Sequence, residues 1–506
     1  MLSDYITYSK ENGGRVILLF LLFFLSIYEF ISSGYTAYAI VCLIPVFVIT
    51  IIISFKYKMF LFWLLFFLNY FNQMQDFPSP PGPRSLPNEI LEILLLAIAL
   101  IDVKESHFKR TGNMMLFALM IWCGFCTLEM LNDTCGLGFN FGAWYTGARM
   151  LAFQTLYVFL VFCIYISKPR ILIQYLLFWG VLALFAVFWV WKQQYIGLTT
   201  YEYGWLYFGP GGNTHLIQAG TLIRYWSIYS DAANFGIAMA STGVAFIIFG
   251  ITAKVRKFKY SFLFIGCACI WGMFPSGTRT AIACVGAGFI LYLFLSKSFK
   301  IAIPFTILFA IGAFLLVFTT IGNGNQQIRR MRSAFDKKDA SANLRTINQQ
   351  TMKKYMRDAP WGIGVGMGME NVPANNKYRR MATIAPDSEY VFIWLHTGVI
   401  GITIFLITTA MILFGACRIV LFSLKSPSLR GIGAGMCCAF ASQQLGAYGN
   451  QVLMQFPNGL VFYGAISVVY ILPFIEKEWI EYESKLLTKQ EEKKRLKLEK
   501  KLASRV

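Results

Sequence analysis

A chain of 506 residues that is 57% hydrophobic and 17% aromatic but only 14% charged, with a mean hydropathy of +0.57, carries about half the charge of an ordinary globular domain and is excluded as a soluble enzyme. The composition fits an all-α, polytopic helical membrane protein. A formal charge of +20 would suggest nucleic acid in a soluble protein, but here it sits mostly in short loops and the tail. It is therefore read by membrane side, with membrane lipids and no nucleic acid as expected partners.

Apolar runs long enough for a hydrocarbon core of about 30 Å recur along the chain. Fourteen spans are expected, at about 16 to 33, 35 to 54, 59 to 75, 88 to 103, 113 to 131, 149 to 167, 171 to 191, 233 to 251, 260 to 275, 280 to 296, 301 to 321, 388 to 416, 429 to 446 and 457 to 474. The first has no small-residue cleavage site after it and reads as a retained span. With the N-terminus inside, alternate loops carry Lys56 and Lys58, Lys104 with Lys109 and Arg110, Lys168 and Arg170, Lys254 through Lys259, Lys297 and Lys300, and Arg418 through Arg430. The positive-inside rule then selects one orientation, with both termini cytoplasmic.

That orientation puts four connections outside: Gln75 to Asn88, Asn132 to Ala148, Lys192 to Asn234, and one large loop between the eleventh and twelfth spans. The expected division is spans 1 to 11 over 1–321, the outer loop over 322–387, spans 12 to 14 over 388–474, and a charged tail over 475–506. Within the loop, Leu344, Ile347, Thr351, Met352, Tyr355 and Met356 approximate one helical stripe between Ser341 and Arg357, closed by Pro360. Gly362, Gly364 and Gly366 follow. No strand precedes them and no phosphate-loop lysine follows, so a tight turn re-entering the membrane is expected rather than a nucleotide cradle. The tail from Glu476 to Lys501 alternates Lys and Glu around scattered leucines and reads as a charged helix at the inner leaflet, most simply a solvated topology anchor.

The eleven cysteines fall nearly all inside apolar runs and read as small buried hydrophobes, Cys123 and Cys126 included. No spacing of His, Cys or carboxylates makes a metal site, and no cofactor is expected.

Three segments fall on the expected outer side. Arg224 lies in Leu222-Ile223-Arg224-Tyr225-Trp226, ahead of Asp231-Ala232-Ala233-Asn234. Arg279 lies in the short turn Pro275-Ser276-Gly277-Thr278-Arg279-Thr280-Ala281. The large loop carries Asn343-Leu344-Arg345, Asp358-Ala359-Pro360-Trp361-Gly362-Ile363-Gly364-Val365-Gly366 and Asp387-Ser388-Glu389-Tyr390, followed by Gly398-Val399-Ile400-Gly401. In this order the segments resemble the O-antigen ligase and O-antigen polymerase superfamily, which shows an Arg before a "dpN" segment, an S-x-S-R-x-A turn, and an "R…P-x-x-G-x-G…H-N-x-Y-L…G-x-x-G" loop and helix. The resemblance covers roughly Leu222 to Gly401 closely.

It implies an all-helical membrane glycosyltransferase, working without a metal. The donor would be an undecaprenyl-pyrophosphate-linked glycan at the outer face of a bacterial inner membrane. The acceptor would be a second lipid-linked glycan for a polymerase, a lipid A core sugar for a ligase, or a protein for a protein transferase. Arginine suits a pyrophosphate leaving group because its donor fork stays protonated. Arg279 and Arg224 are the candidates, with Arg345 as the loop arginine of the motif; the competing reading is a snorkelling or topological role.

Where ligases carry the His of "H-N", this chain has Asp387 followed by Ser388, and His396 replaces the Glu usually found further along that helix. A carboxylate can accept the proton of an attacking hydroxyl, so Asp387 is the candidate base, with a helix cap as its alternative. Glu389, next to it, is a further candidate for substrate binding. Tyr390 and Trp394 fall on the Asp387 face, suited to sugar stacking or to a membrane boundary, while His396 falls off that face. Without the ligase-type His, polymerase is favoured over ligase. A lipid-linked glycan transporter is the reading from another class, disfavoured by the lack of repeated halves and by ionisable residues clustered at span ends.

Overall fold

The computed structural model describes residues 56–77, 84–103, 107–213, 216–218, 222–297, 299–320, 340–383 and 388–503, with isolated positions between 14 and 28 and at 324. The chain forms two units, Met1–Leu64 and Leu65–Val506. In the first, the described stretch leads into helix α1 (Lys58–Phe71); the expected spans 16 to 33 and 35 to 54 lie outside the described residues apart from those isolated positions.

In the second unit, helix starts are set by short polar side chains in extended backbone. Asn113 opens α3 (Met114–Leu128) by accepting from the amides of Met115 and Leu116, and Asn140 opens α4 (Phe141–Ala148) by accepting from Ala143. Ahead of these lies α2 (Leu86–Ile101). A π-helical turn over Arg149–Phe153 joins α4 to α5 (Gln154–Tyr165), so the second half of the expected outer connection 132 to 148 is helical. Next comes α6 (Pro169–Tyr195). The expected outer connection 192 to 234 then folds into α7 (Thr200–Phe208) and a two-residue hairpin, β1 (Ile217–Gln218) antiparallel to β2 (Leu222–Ile223) with Ile217 opposite Ile223.

The centre of the unit is α8 (Ala232–Thr252), buried along almost its whole length. It packs on α9 (Arg256–Gly272), α10 (Arg279–Leu295) and α15 (Pro427–Gly449). The remaining helices are α11 (Phe299–Phe318), α12 (Ala340–Met356), α13 (Arg379–Thr383), α14 (Glu389–Arg418) and α16 (Asn458–Ala503). Seven helical stretches among the described residues are long and apolar enough to cross a membrane: Met114–Leu131, Phe141–Tyr165, Pro169–Tyr195, Ala232–Thr252, Arg256–Ser276, Glu389–Ser423 and Asn458–Leu496. Every other expected span from 59 onward falls on a helix, α1 and α10 being shorter apolar ones. The protein is a multi-pass helical membrane protein.

Connectivity puts the N-termini of α8, α10, α14 and α16 and the C-termini of α9 and α15 at one end of the bundle. The opposite end is basic and is tied together by the tail. Lys254 pairs with Glu483 at 3.2 Å, the Glu476 carboxylate accepts from the amides of Lys425 and Ser426, and Trp479 Nε1 donates to Ser428. Helix α16 runs unbroken through Pro473 into this charged region. The described cysteines other than Cys267 are buried, as expected of small hydrophobes.

The large loop has a core of its own. Cys135, Ala143, Met352, Met356, Ala359, Ile363, Met367, Val372, Tyr378, Met381 and Leu395 form one buried cluster that joins α12 to α4 and α14. The helix expected between Ser341 and Arg357 is α12. Its apolar stripe is narrower than expected: Met352 and Met356 are buried and Tyr355 packs on them, but Ile347 is 58% exposed. Only the last turns of the helix, from Met352 on, reach the cluster.

Candidate functional site

Arg224 is placed by a buried polar knot that neither its motif nor its neighbours announce. Glu202, fully buried in α7, forms a reciprocal capping box with Thr199 and also accepts from Trp189 Nε1, Lys192 Nζ and Gln193 Nε2 at 2.6–2.8 Å. The Gln193 amide in turn holds Ser227, accepting from its N–H at 2.8 Å and donating to its carbonyl at 3.1 Å; Ser227 has φ +56°. This fixes the segment that begins at Arg224.

The Arg224 guanidinium reaches the second motif. Its Nε donates to the Ser276 carbonyl at 3.1 Å and its Nη2 to Thr278 Oγ1 at 3.1 Å, while the Tyr225 amide donates to the Pro275 carbonyl. Thr278 Oγ1 also donates to the carbonyl of Ala232, in the first turn of α8. The approach is close enough that a Cβ at Gly236 would stand 2.3 Å from Ser276 Oγ. The turn thus braced ends at Thr278, and Arg279 is the first residue of α10, half-buried. Asp231 caps α8, accepting from the amides of Ala233 and Asn234. Asn234 donates to Ser230 and to the Phe456 carbonyl, and accepts from Asn458.

The same end of the bundle carries the start of α14. The cap position is Ser388, whose side chain caps no amide and instead donates to the Ala447 carbonyl at 3.1 Å. Asp387, with both its expected roles of base and helix cap, lies outside the described residues. Glu389 is buried and accepts from the Leu453 amide at 3.0 Å, and so holds the connection between α15 and α16. Tyr390 donates through its hydroxyl to Gln444. Tyr390 and Trp394 line one open cavity of about 480 Å³ with Ser388, Tyr448 and, from α12, Gln349, Gln350 and Lys353. Arg345 lies on the backbone of α12, its side chain outside the described residues.

Two motifs meet at the end of α15. Thr280, next to Arg279, packs so closely on Gly449 that a Cβ there would stand 2.9 Å from its hydroxyl, and Tyr448, the preceding residue, lines the cavity. The cavity and the arginine turn therefore flank one helix end.

The glycine turn of the loop docks on a break in α14. Gly398 has φ 66° and ψ −169° inside the helix, and a Cβ there would stand 1.9 Å from the Pro360 carbonyl oxygen. The break frees the carbonyls of Leu395 and His396, which accept from the amides of Ile363 at 3.0 Å and Gly364 at 3.1 Å. The buried His396 ring completes the joint through Nδ1 at 3.1 Å from the Gly364 carbonyl. His396 therefore faces the loop and not the cavity, in keeping with its expected phase. On its other side the loop is held by Asn132 donating to the Trp361 carbonyl, Asn376 donating to the Cys135 carbonyl, and Cys135 Sγ against the Ile363 carbonyl. Burial pushes the Cys135 thiol up to about 11, so it is a packed neutral group there.

The sequence reading missed Glu202, Gln193, Lys353 as a wall of the cavity, and Tyr448. Only Lys353 carried a signal, through its place in a basic helix beside the motif arginine. Among the described residues no group of three or more His, Cys, Asp or Glu is placed to hold a metal ion.

No curated protein matches the chain. A family model described as O-Antigen ligase matches residues 262–406, which run from α9 through the Arg279 turn and the loop to the break in α14. That match supports the O-antigen ligase and polymerase superfamily for this multi-pass membrane protein, with glycan transfer of that general type as its activity.

Proposed function

We propose that the chain transfers a glycan from an undecaprenyl-pyrophosphate-linked donor to an acceptor sugar hydroxyl at the outer face of the bacterial inner membrane, as a polymerase of a surface polysaccharide. The observation that carries this is the meeting, at the end of α15, of the Arg279 turn with the aromatic cavity that Tyr390 and Trp394 line, these three residues all falling within the matched segment. Arg279 supplies fixed positive charge to the pyrophosphate. Arg224, whose fork is engaged with Ser276 and Thr278, positions the turn that presents Arg279. Tyr390 and Trp394 supply faces for sugar rings, Lys353 brings a cation to the same cavity, and Arg345 acts as the loop arginine of the motif toward the anionic donor.

In the reaction the acceptor oxygen bonds to the anomeric carbon as the carbon–oxygen bond to the phosphate breaks. The electron pair leaves on the lipid pyrophosphate, and the hydroxyl proton passes to Asp387 acting as base. The reaction runs without a metal or cofactor, the arginines carrying the charge. Glu389 is a positioning residue, because its carboxylate is committed to the amide of Leu453. Asp387 in place of the ligase-type His favours a second lipid-linked repeat over a lipid A core sugar as acceptor.

The test is the envelope glycan ladder of cells lacking the gene, complemented by wild type, Arg279→Ala or Asp387→Asn at matched expression. Polymerase predicts loss of long chains with single repeats still attached. Loss of all attached glycan with lipid-linked polymer accumulating would mean a ligase or protein transferase. An unchanged ladder in every strain would remove glycan transfer altogether.

A further inference from the structure

A second polar centre lies inside the bundle, away from the arginine turn. Glu92 on α2 is 3% exposed, and one of its carboxylate oxygens has no hydrogen-bond partner. Asn69 on α1, 2% exposed, likewise leaves its side-chain oxygen unpartnered, and so does Asn88, one turn before Glu92 on the same helix and also 2% exposed. Glu92 and Asn69 line one small cavity of about 20 Å³, together with Gln154, Thr155 and the 454–460 segment that includes Gln455.

The neighbouring charges are already matched. Glu89 pairs with Arg149 at 3.1 Å and also accepts from Gln154 Nε2 at 3.0 Å. That leaves the Glu92 carboxyl with no paired cation among the described residues, beside other unpartnered oxygens. A buried acceptor left without a donor costs about 1–3 kcal/mol, and more when charged. A hole of this size holds one water-sized particle. Oxygen ligands, one unpaired carboxyl that can ionise against a cation, and room for one small particle together suit a hard, singly charged cation.

We propose that Asn69, Glu92 and the 454–460 segment form a binding site for a monovalent metal cation, sodium by size. The ion neutralises Glu92 and satisfies the Asn69 oxygen. It also ties α1 and α2 to the segment through which Asn234 and Glu389 hold the start of α16. The site is independent of the transfer reading, since none of its residues touches the cavity beside α14.

The test uses the purified full chain in detergent. Radiolabelled sodium binding should be saturable in wild type, and its affinity should fall roughly 10-fold or more in Glu92→Gln and in Asn69→Leu. Melting temperature should rise when sodium chloride replaces choline chloride at equal ionic strength, and Glu92→Gln should abolish that rise. Absence of saturable sodium binding in wild type would overturn the proposal whether or not the variants fold. So would a Glu92→Gln protein that melts like wild type in both salts, which would mean that Glu92 is held as a neutral acid.

Discussion

Replacing Gly398 by alanine tests whether the loop works only when docked on the break in α14. The backbone at φ 66°, ψ −169° belongs to a region populated essentially by glycine, so any side chain there costs about 1–3 kcal/mol. The new Cβ would also stand 1.9 Å from the Pro360 oxygen, and relieving that overlap pulls the turn away from α14. The two amide bonds from Ile363 and Gly364 to the freed carbonyls then weaken, at about 1 kcal/mol each. The sum, about 3–5 kcal/mol, falls on docking of the loop and not on the buried helices around α8, so the bundle stays folded while the docking equilibrium constant drops by about a hundred- to several-thousand-fold. Limited trypsin digestion of membranes reads this directly, because Lys353, Lys354, Arg357, Lys377, Arg379 and Arg380 all lie in the loop. Gly398→Ala should be cut far faster than wild type and should lose long glycan chains. Val399→Ala, at a 55% exposed position on the next residue, should change neither. Wild-type cutting and wild-type chain length in Gly398→Ala would refute the docking argument.

Three smaller perturbations probe the rest of the site. Gly236→Ala pushes a methyl to 2.3 Å from Ser276 Oγ and should displace the Arg279 turn, lowering transfer at near-normal protein level; quantitative ladders and immunoblots check both. Arg224→Lys keeps the charge but cannot span the Ser276 carbonyl and Thr278 hydroxyl together, so activity should fall about as far as in Arg224→Ala; full activity with lysine would mean that charge alone matters. The exposed pair Asp358–Lys377 holds the Asp358 carboxyl below its ordinary value of 3.8, first through the Lys377 hydrogen bond. Since the folded value is the lower one, any stabilisation is complete above that ordinary value and vanishes as pH falls through the depressed one. Both side chains are exposed, so the contribution present at neutral pH is small: Lys377→Ala should lower the neutral-pH melting temperature by little or nothing, and a clear drop there would show that Lys377 does more than pair with Asp358.

How far the sequence foretold this depended on whether a feature was local. The start and end of α12 were legible because a period of 3.6 in Met352 and Met356 and a proline downstream are local signals. The pairing of Tyr390 with Trp394 followed from helical phase alone. The break at Gly398 was not legible: Gly398-Val399-Ile400-Gly401 sits in an apolar run whose hydropathy is that of an unbroken span, and only the oxygen of Pro360, far away in sequence, explains the glycine. Glu202 was invisible for the same reason. A lone carboxylate after a span looks like a surface residue until Trp189, Lys192 and Gln193 are folded back upon it. The stripe of α12 was drawn too wide because periodicity reports which face is apolar but not how far along the helix a partner extends.

Helix α16 spans Asn458 to Ala503, 46 residues, which is roughly 69 Å of helix. A hydrocarbon core takes up about 30 Å of that, so about half of the rod stands clear of the membrane. Lys254 and the amide of Arg256 hold it at Glu483 and Gln490, so the base of the protruding portion is fixed by protein contacts as well as by the bilayer. The contacts that hold the protruding portion thus come from the connection between α8 and α9.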